Sequence, residues 1–170
     1  MSIPNALRAG LMLAKSNYID ISKLSHLDVK PKEDQIKCAI YRVLSECGDL
    51  VHVEASLSRN GERCDLFAVS GETRSAIEIK TAWAGKGWVN KPVEQSATWD
   101  YDIKKLTSLH ESDLADSCYF VLCLAYELGS KWEEVFKTEA LNRECELVDD
   151  FEISNWNGLN RIAFYIKQVN

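Results

Sequence analysis

Apolar residues recur at helical spacing in four stretches of this chain and alternate at strand spacing in five others. Ile3, Leu7, Leu11 and Ala14 predict an opening helix over 3–15, followed by a polar connector to Pro31. From Lys32 onward, Ile36, Ala39, Ile40, Val43, Leu44 and Cys47 mark an amphipathic helix, with Gly48 as its stop. Leu50–Leu57 alternates as a strand. The Asn-Gly turn within Arg59-Asn60-Gly61-Glu62 leads into a second strand, Cys64–Val69. Ser70-Gly71-Glu72 then turns the chain back into a third strand, Ala76–Lys80.

Residues 82–96 contain Gly85, Gly87 and Pro92 and read as irregular. Trp99, Ile103, Leu106 and Leu109 resume helical spacing, and Cys118–Tyr126 is apolar enough for a buried strand. Ser130 and Glu133 form a capping-box pattern ahead of a helix carrying Trp132, Val135, Phe136 and Ala140. A last strand covers Arg161–Ile166. Three hairpin-linked strands, a crossover helix and a further strand predict an α/β fold, a mixed central sheet flanked by helices.

At 170 residues, with no internal repeat or linker-like tract, the chain suits a single domain over 1–170. No apolar run is long enough to span a bilayer, and the N-terminus lacks the pattern of a signal peptide, so no membrane partner and a cytoplasmic location are expected. The six cysteines form no CxxC pair and have no histidines at zinc-ligand spacing, which predicts reduced core thiols.

The net charge of −6 argues at first against a nucleic-acid partner, but its distribution changes the picture. Residues 1–110 carry 15 basic and 14 acidic side chains, whereas residues 111–152 carry 3 and 12. The acidity therefore lies away from the first three strands. No lysine and arginine stripe marks a duplex groove, so strong non-specific DNA binding is not expected.

Candidate chemistry sits on the second and third strands. Alternation places Glu78 and Lys80 on one face of their strand and Ile77 and Ile79 on the other. A hairpin would bring Asp65 beside Glu78. Two neighbouring carboxylates repel unless a cation lies between them, and an adjacent lysine can orient or deprotonate a water. Those parts suit metal-assisted hydrolysis of a phosphodiester.

With Asp65 and Glu78-Ile79-Lys80 on successive predicted strands after an amphipathic helix, the chain resembles the PD-(D/E)XK nuclease superfamily. The likeness covers about residues 32–126 and includes Asp102-Ile103-Lys104-Lys105-Leu106, similar to the helix after the motif strand in many members. Cys64 stands where a proline commonly precedes the first acid. The resemblance implies a restriction-endonuclease-like αβββαβ core, here with an extra N-terminal helix and a C-terminal helix and strand. It also implies a metal-dependent endonuclease acting on DNA. Asp65, Glu78 and the Ile79 carbonyl would bind Mg²⁺, with Mn²⁺ as a substitute. Lys80 would position the attacking water and offset charge on the phosphate. Glu33 is the candidate helix acid, sharing a face with Ile36, Ile40 and Leu44; Gln35 is the other candidate.

Other readings stand beside these. Asp65, Glu78 and Lys80 also suit solvated strand positions, and Glu33 suits a first-turn acid facing the helix dipole. Lys86, Trp88 and Lys91 lie on a glycine-bearing stretch able to stack on bases and contact phosphates, and Lys105 is a further phosphate contact. Trp99 fits the helical stripe as core. A homodimer or a larger complex would supply selectivity that so small a domain lacks. The alternative function is a catalytically inactive nuclease-fold subunit that binds nucleic acid or a protein.

Overall fold

The computed structural model describes residues 1–24, 32–57, 63–85, 88–89, 92–156 and 158–169. The turn expected at 59–62 lies outside them. Two helices, α1 (Ile3–Ser22) and α2 (Glu33–Glu46), precede a meander of β1 (Leu50–Ser56), β2 (Arg63–Ser70) and β3 (Thr73–Gly85). The short β4 (Trp88–Val89) follows, then α3 (Pro92–Glu111), β5 (Ser117–Tyr126), α4 (Lys131–Asn142), β6 (Glu146–Trp156) and β7 (Leu159–Val169). The sheet order is β1-β2-β3-β5-β7-β6, with β4 paired to β3. All neighbours are antiparallel except β3 and β5, which run parallel with α3 as the crossover between them. The fold is α/β with a mixed sheet, as the periodicities predict.

Side-chain alternation sends the two faces of the sheet into separate cores. Ile77 and Ile79 of β3 and Tyr119, Val121 and Cys123 of β5 pack with Leu7, Leu11, Ile36 and Ile40 of α1 and α2. Ala76, Ala82, Phe120 and Leu122 face the other way, against Trp99, Leu106 and Leu109 of α3 and Phe136 of α4. The site on β3 therefore lies between two helical layers. All six cysteines are free, and Cys64, Cys118, Cys123 and Cys145 are buried.

Several elements depart from the sequence reading. Helix α1 runs on to Ser22 because Tyr18 and Ser22 continue the Ala14 stripe at four-residue steps, and both are buried. Strand β3 extends through 82–85, a stretch expected to be irregular. Its alternation continues, with Ala82 and Ala84 buried and the pairing to β5 kept as far as Ala84↔Tyr126. Pro92 starts α3 instead of breaking a segment, since an N–H in the first turn has no intrahelical hydrogen bond to lose. Ser130 does precede α4, but its side chain makes no cap; Glu133 accepts the Gly129 N–H at 2.7 Å instead.

Strand β6 was not expected at all. Its run Glu146–Glu152 is rich in acids, and its pairing with β7 is broken between Leu147 and Asp149 and again between Glu152 and Trp156. The acids find cations nearby: Arg8 bonds Glu146 at 2.9 Å, Lys15 bonds Asp149 at 2.8 Å, and Arg161 bonds Asp150 at 2.7 Å. An edge strand can carry such charges because one of its sides faces solvent.

Candidate functional site

Strands β2 and β3 part company at the first motif acid. Their last recorded pair is Leu66↔Ile77; one step further would set Asp65 opposite Glu78. Instead the Asp65 side chain fills the opening, and its Oδ2 accepts the Ile79 backbone N–H at 2.7 Å. A ladder residue directs its N–H and C=O to the same side, so the Ile79 carbonyl also faces this opening. On β1, Glu54 lies between the residues paired to Leu66 and Cys64 and has φ +53. A left-handed glutamate within a strand stores strain and marks where the ribbon bends.

Lysines enter the opening from both helical layers. Lys37 of α2 bonds Asp65 Oδ1 at 2.9 Å and also contacts Glu54. On the α3 side, Glu78 Oε1 accepts Lys80 at 3.1 Å and Oε2 accepts Lys105 at 2.8 Å. Asp102 of α3 stands behind both amines, with Oδ2 3.6 Å from Lys80 and Oδ1 3.5 Å from Lys105. Asp65, Glu78, Asp102 and Lys37 are all at most 8% exposed, so the cluster is a desolvated ionic network rather than a surface salt bridge.

Burial raises Glu78 above the ordinary carboxylate range, and repulsion from Asp65 adds to it; Lys105 and Lys80 pull the other way. The two motif acids thus repel each other, with Lys37 of α2 holding Asp65 and Lys80 and Lys105 holding Glu78 on the α3 side. Lys80 is also raised: burial opposes its charge, but Glu78, Asp102, Glu33 and Asp65 outweigh that. It is therefore an ammonium at neutral pH, suited to steadying anionic charge and unsuited to accepting a proton. Glu33 is pushed up to about 7, first by burial, with Lys80 and Lys37 lowering it and Asp65 and Glu78 raising it. A carboxyl balanced there can take or give a proton near neutrality.

The structure thus brings together Asp65, Glu78, Lys80, Ile79 and Lys105, and couples Glu33 to them. It does not bring in Gln35, whose Oε1 accepts the Lys32 backbone N–H at 3.2 Å at the start of α2. Lys86 and Lys91 lie outside the described residues, and Trp88 is placed in β4. Sequence reasoning missed Lys37, Glu54 and Asp102. The signal for Lys37 is its place on the buried stripe of α2, four residues after Glu33 and three before Ile40. Asp102 likewise occupies the stripe Trp99, Leu106 and Leu109, all buried, which the partly exposed Ile103 does not. A charged residue on an apolar stripe is costly unless it has a partner or a task.

Two carboxylates and a main-chain carbonyl are hard oxygen donors, and Mg²⁺ is commonly held by one or two protein carboxylates with its remaining positions filled by water and phosphate. The donor set around Asp65 and Glu78 fits such an ion in chemistry. Among the described residues, no three His, Cys, Asp or Glu side chains converge as a ready ligand set. Lysine ammonium groups contact Asp65 Oδ1 and both Glu78 oxygens. Comparison with protein-family models, curated proteins and solved structures returned no match.

Proposed function

We propose that this protein is a divalent-metal-dependent nuclease that hydrolyses DNA phosphodiester bonds, built on a PD-(D/E)XK-like core. One observation carries the reading. Asp65, Glu78, Lys80 and the Ile79 backbone lie where β2 leaves β3, and Glu33 of α2 is electrostatically coupled to the three side chains. The order of elements supports it: α2, the antiparallel β1–β2–β3 meander, α3, and β5 parallel to β3 follow the order that the resemblance implies.

In this reading Asp65, Glu78 and the Ile79 carbonyl hold Mg²⁺ or Mn²⁺, which supplies an acidified water and charge neutralisation at phosphorus when bound. The chain's own groups do the rest. The Lys80 ammonium steadies negative charge gathering on the phosphoryl oxygens. The Glu33 carboxylate accepts a proton from water at its oxygen. Lys37 fixes the Asp65 rotamer, so the acid need not reorganise when substrate arrives. Lys86, Trp88, Lys91 and Lys105 are the proposed contacts to DNA, and a homodimer or larger assembly would set selectivity. Among the described residues no helix is long and apolar enough to cross a membrane.

The test is a plasmid-nicking assay with Mg²⁺ or Mn²⁺ that compares wild type with Glu78→Ala. Metal-dependent nicking by wild type alone supports the reading. Equal cleavage by both, or none under either metal, overturns it.

A second reading has its own observation. Asp65 and Glu78 already pair with buried lysines, which is the state of a structural ion cluster in a nuclease-fold subunit without catalysis. It predicts that Asp65→Asn and Lys80→Ala leave the activity of any parent complex intact.

A further inference from the structure

Asp102 is a buried acid on the apolar stripe of α3, and its Oδ2 is enclosed without a hydrogen-bond partner. Such a carboxylate destabilises a fold unless it serves something. Its two oxygens stand 3.6 Å from Lys80 and 3.5 Å from Lys105, just beyond hydrogen-bond range. The same two amines are bonded to Glu78 at 3.1 and 2.8 Å. Each lysine thus lies between two carboxylates, one engaged and one waiting.

Resting on the nuclease reading, we infer that Asp102 is a positioning residue, the second anchor to which Lys80 and Lys105 shift when Glu78 engages a divalent cation. With an ammonium bonded to each oxygen, Glu78 offers a metal only its remaining lone pairs and a charge already balanced, so tight binding of a cation displaces those ammonium groups. Releasing those ammonium groups into a desolvated site with no other acid would be costly. Asp102 removes that cost: closing either gap to a charge-assisted bond of about 2.8 Å needs a movement of under roughly 1 Å. The lysines then remain beside the site, where Lys80 faces the phosphate. Lys105 is three residues from Asp102 on one helix, so the pair share a face and move together.

The experiment measures Mn²⁺ affinity of the intact protein by calorimetry or electron paramagnetic resonance, with folding checked by circular dichroism. Glu78→Gln, which removes a proposed ligand, marks binding at this site by abolishing it. Asp102→Asn should weaken Mn²⁺ binding about tenfold, the usual scale for an outer-sphere partner. Asp102→Glu, which keeps the anchor, should recover most of that loss. In a Lys105→Gln background the Asp102→Asn effect should shrink, because a competing ammonium is gone. An effect of the same size in both backgrounds reflects lost charge alone and overturns the inference, as does no effect; neither touches the nuclease reading. Failure of wild type to bind Mn²⁺ overturns both. Carboxyl ¹³C resonances of the wild type give a second measurement: Mg²⁺ should shift Asp102 together with Glu78, and a stationary Asp102 signal sinks the proposal.

Discussion

Asp65 takes the hydrogen bond that β2 fails to give Ile79: its Oδ2 receives the Ile79 N–H at 2.7 Å where the β2–β3 ladder ends. A central-strand amide left unpaired would be costly, so the carboxylate is structural, whatever its part in the proposed chemistry. That hydrogen bond separates it from an acid placed only for catalysis, whose removal often relieves repulsion.

Replacing Asp65 with alanine should therefore destabilise the fold. Lys37 would keep only the more exposed Glu54, and the Ile79 amide would lose its acceptor. Breaking a buried ion pair from one side costs about 3–5 kcal/mol, against which the relief of Glu78 is smaller. Urea unfolding of Asp65→Ala and wild type measures this. Asp65→Asn, which can still accept the amide but leaves the Lys37 charge less balanced, should lose less than alanine does.

Gly10 offers a test of the layer behind the site. A Cβ built on it would lie 2.8 Å from the Ile40 Cα, and a backbone atom cannot rotate away. Alanine would gain about 1 kcal/mol in helix propensity, but overpacking costs about 1–3 kcal/mol. The two effects nearly offset at the low end, yet α1 must shift off α2 whatever the balance. Thermal unfolding of Gly10→Ala should show a lower midpoint, and Glu33, carried on α2, should titrate at a changed pH.

The crossover into β5 has an acid-sensitive clasp. Asp116 accepts the Arg74 backbone N–H at 2.7 Å and its guanidinium at 2.8 and 3.1 Å, while the Asp116 N–H returns to the Arg74 carbonyl at 2.8 Å. Hydrogen bonds from Arg74, side chain first and backbone second, hold Asp116 down at about 2. A carboxyl with a lowered folded value stabilises above its unfolded value and loses that contribution as pH falls through the folded one. Relative to wild type, Asp116→Asn should thus be less stable at pH 7, with the gap closing between about pH 4 and pH 2. Urea midpoints over that range measure it.

The helices, the meander and the motif acids were readable because each rests on a local period or on spacing. The parts of the site that were not readable are those fixed by three dimensions. Lys37 and Asp102 look like flaws in their stripes until β2 is seen to part from β3 and open a polar seam between the two cores. Strand β6 hid for the opposite reason: its acids mask an alternation, and they are neutralised by Arg8 and Lys15 from the far end of the chain and by Arg161 on the neighbouring β7. The sequence suggests Lys105 as a phosphate contact; its bond to Glu78 places it inside the cluster, a contact no spacing rule encodes.

Glu33 gives the clearest pH signature. Its carboxyl, lifted to about 7 mainly by burial, holds a proton in the folded protein that the unfolded chain has already released. Between the ordinary value of 4.5 and about 7 the folded state binds more protons, so stability of the metal-free protein should fall as pH rises through that window. Part of the side chain meets solvent, so the contribution is discounted to about 1 kcal/mol. Glu33→Gln should flatten the dependence and leave the metal-free protein slightly more stable above pH 7. Adding Mg²⁺ to wild type should do the same by another route, since a nearby cation favours the carboxylate and draws its value down. Carboxyl ¹³C titration with and without Mg²⁺ separates the outcomes. A Glu33 signal that titrates near 7 alone and well below it with metal places this acid beside the cation; one that ignores the metal removes it from the site and leaves only a half-buried helix-start glutamate.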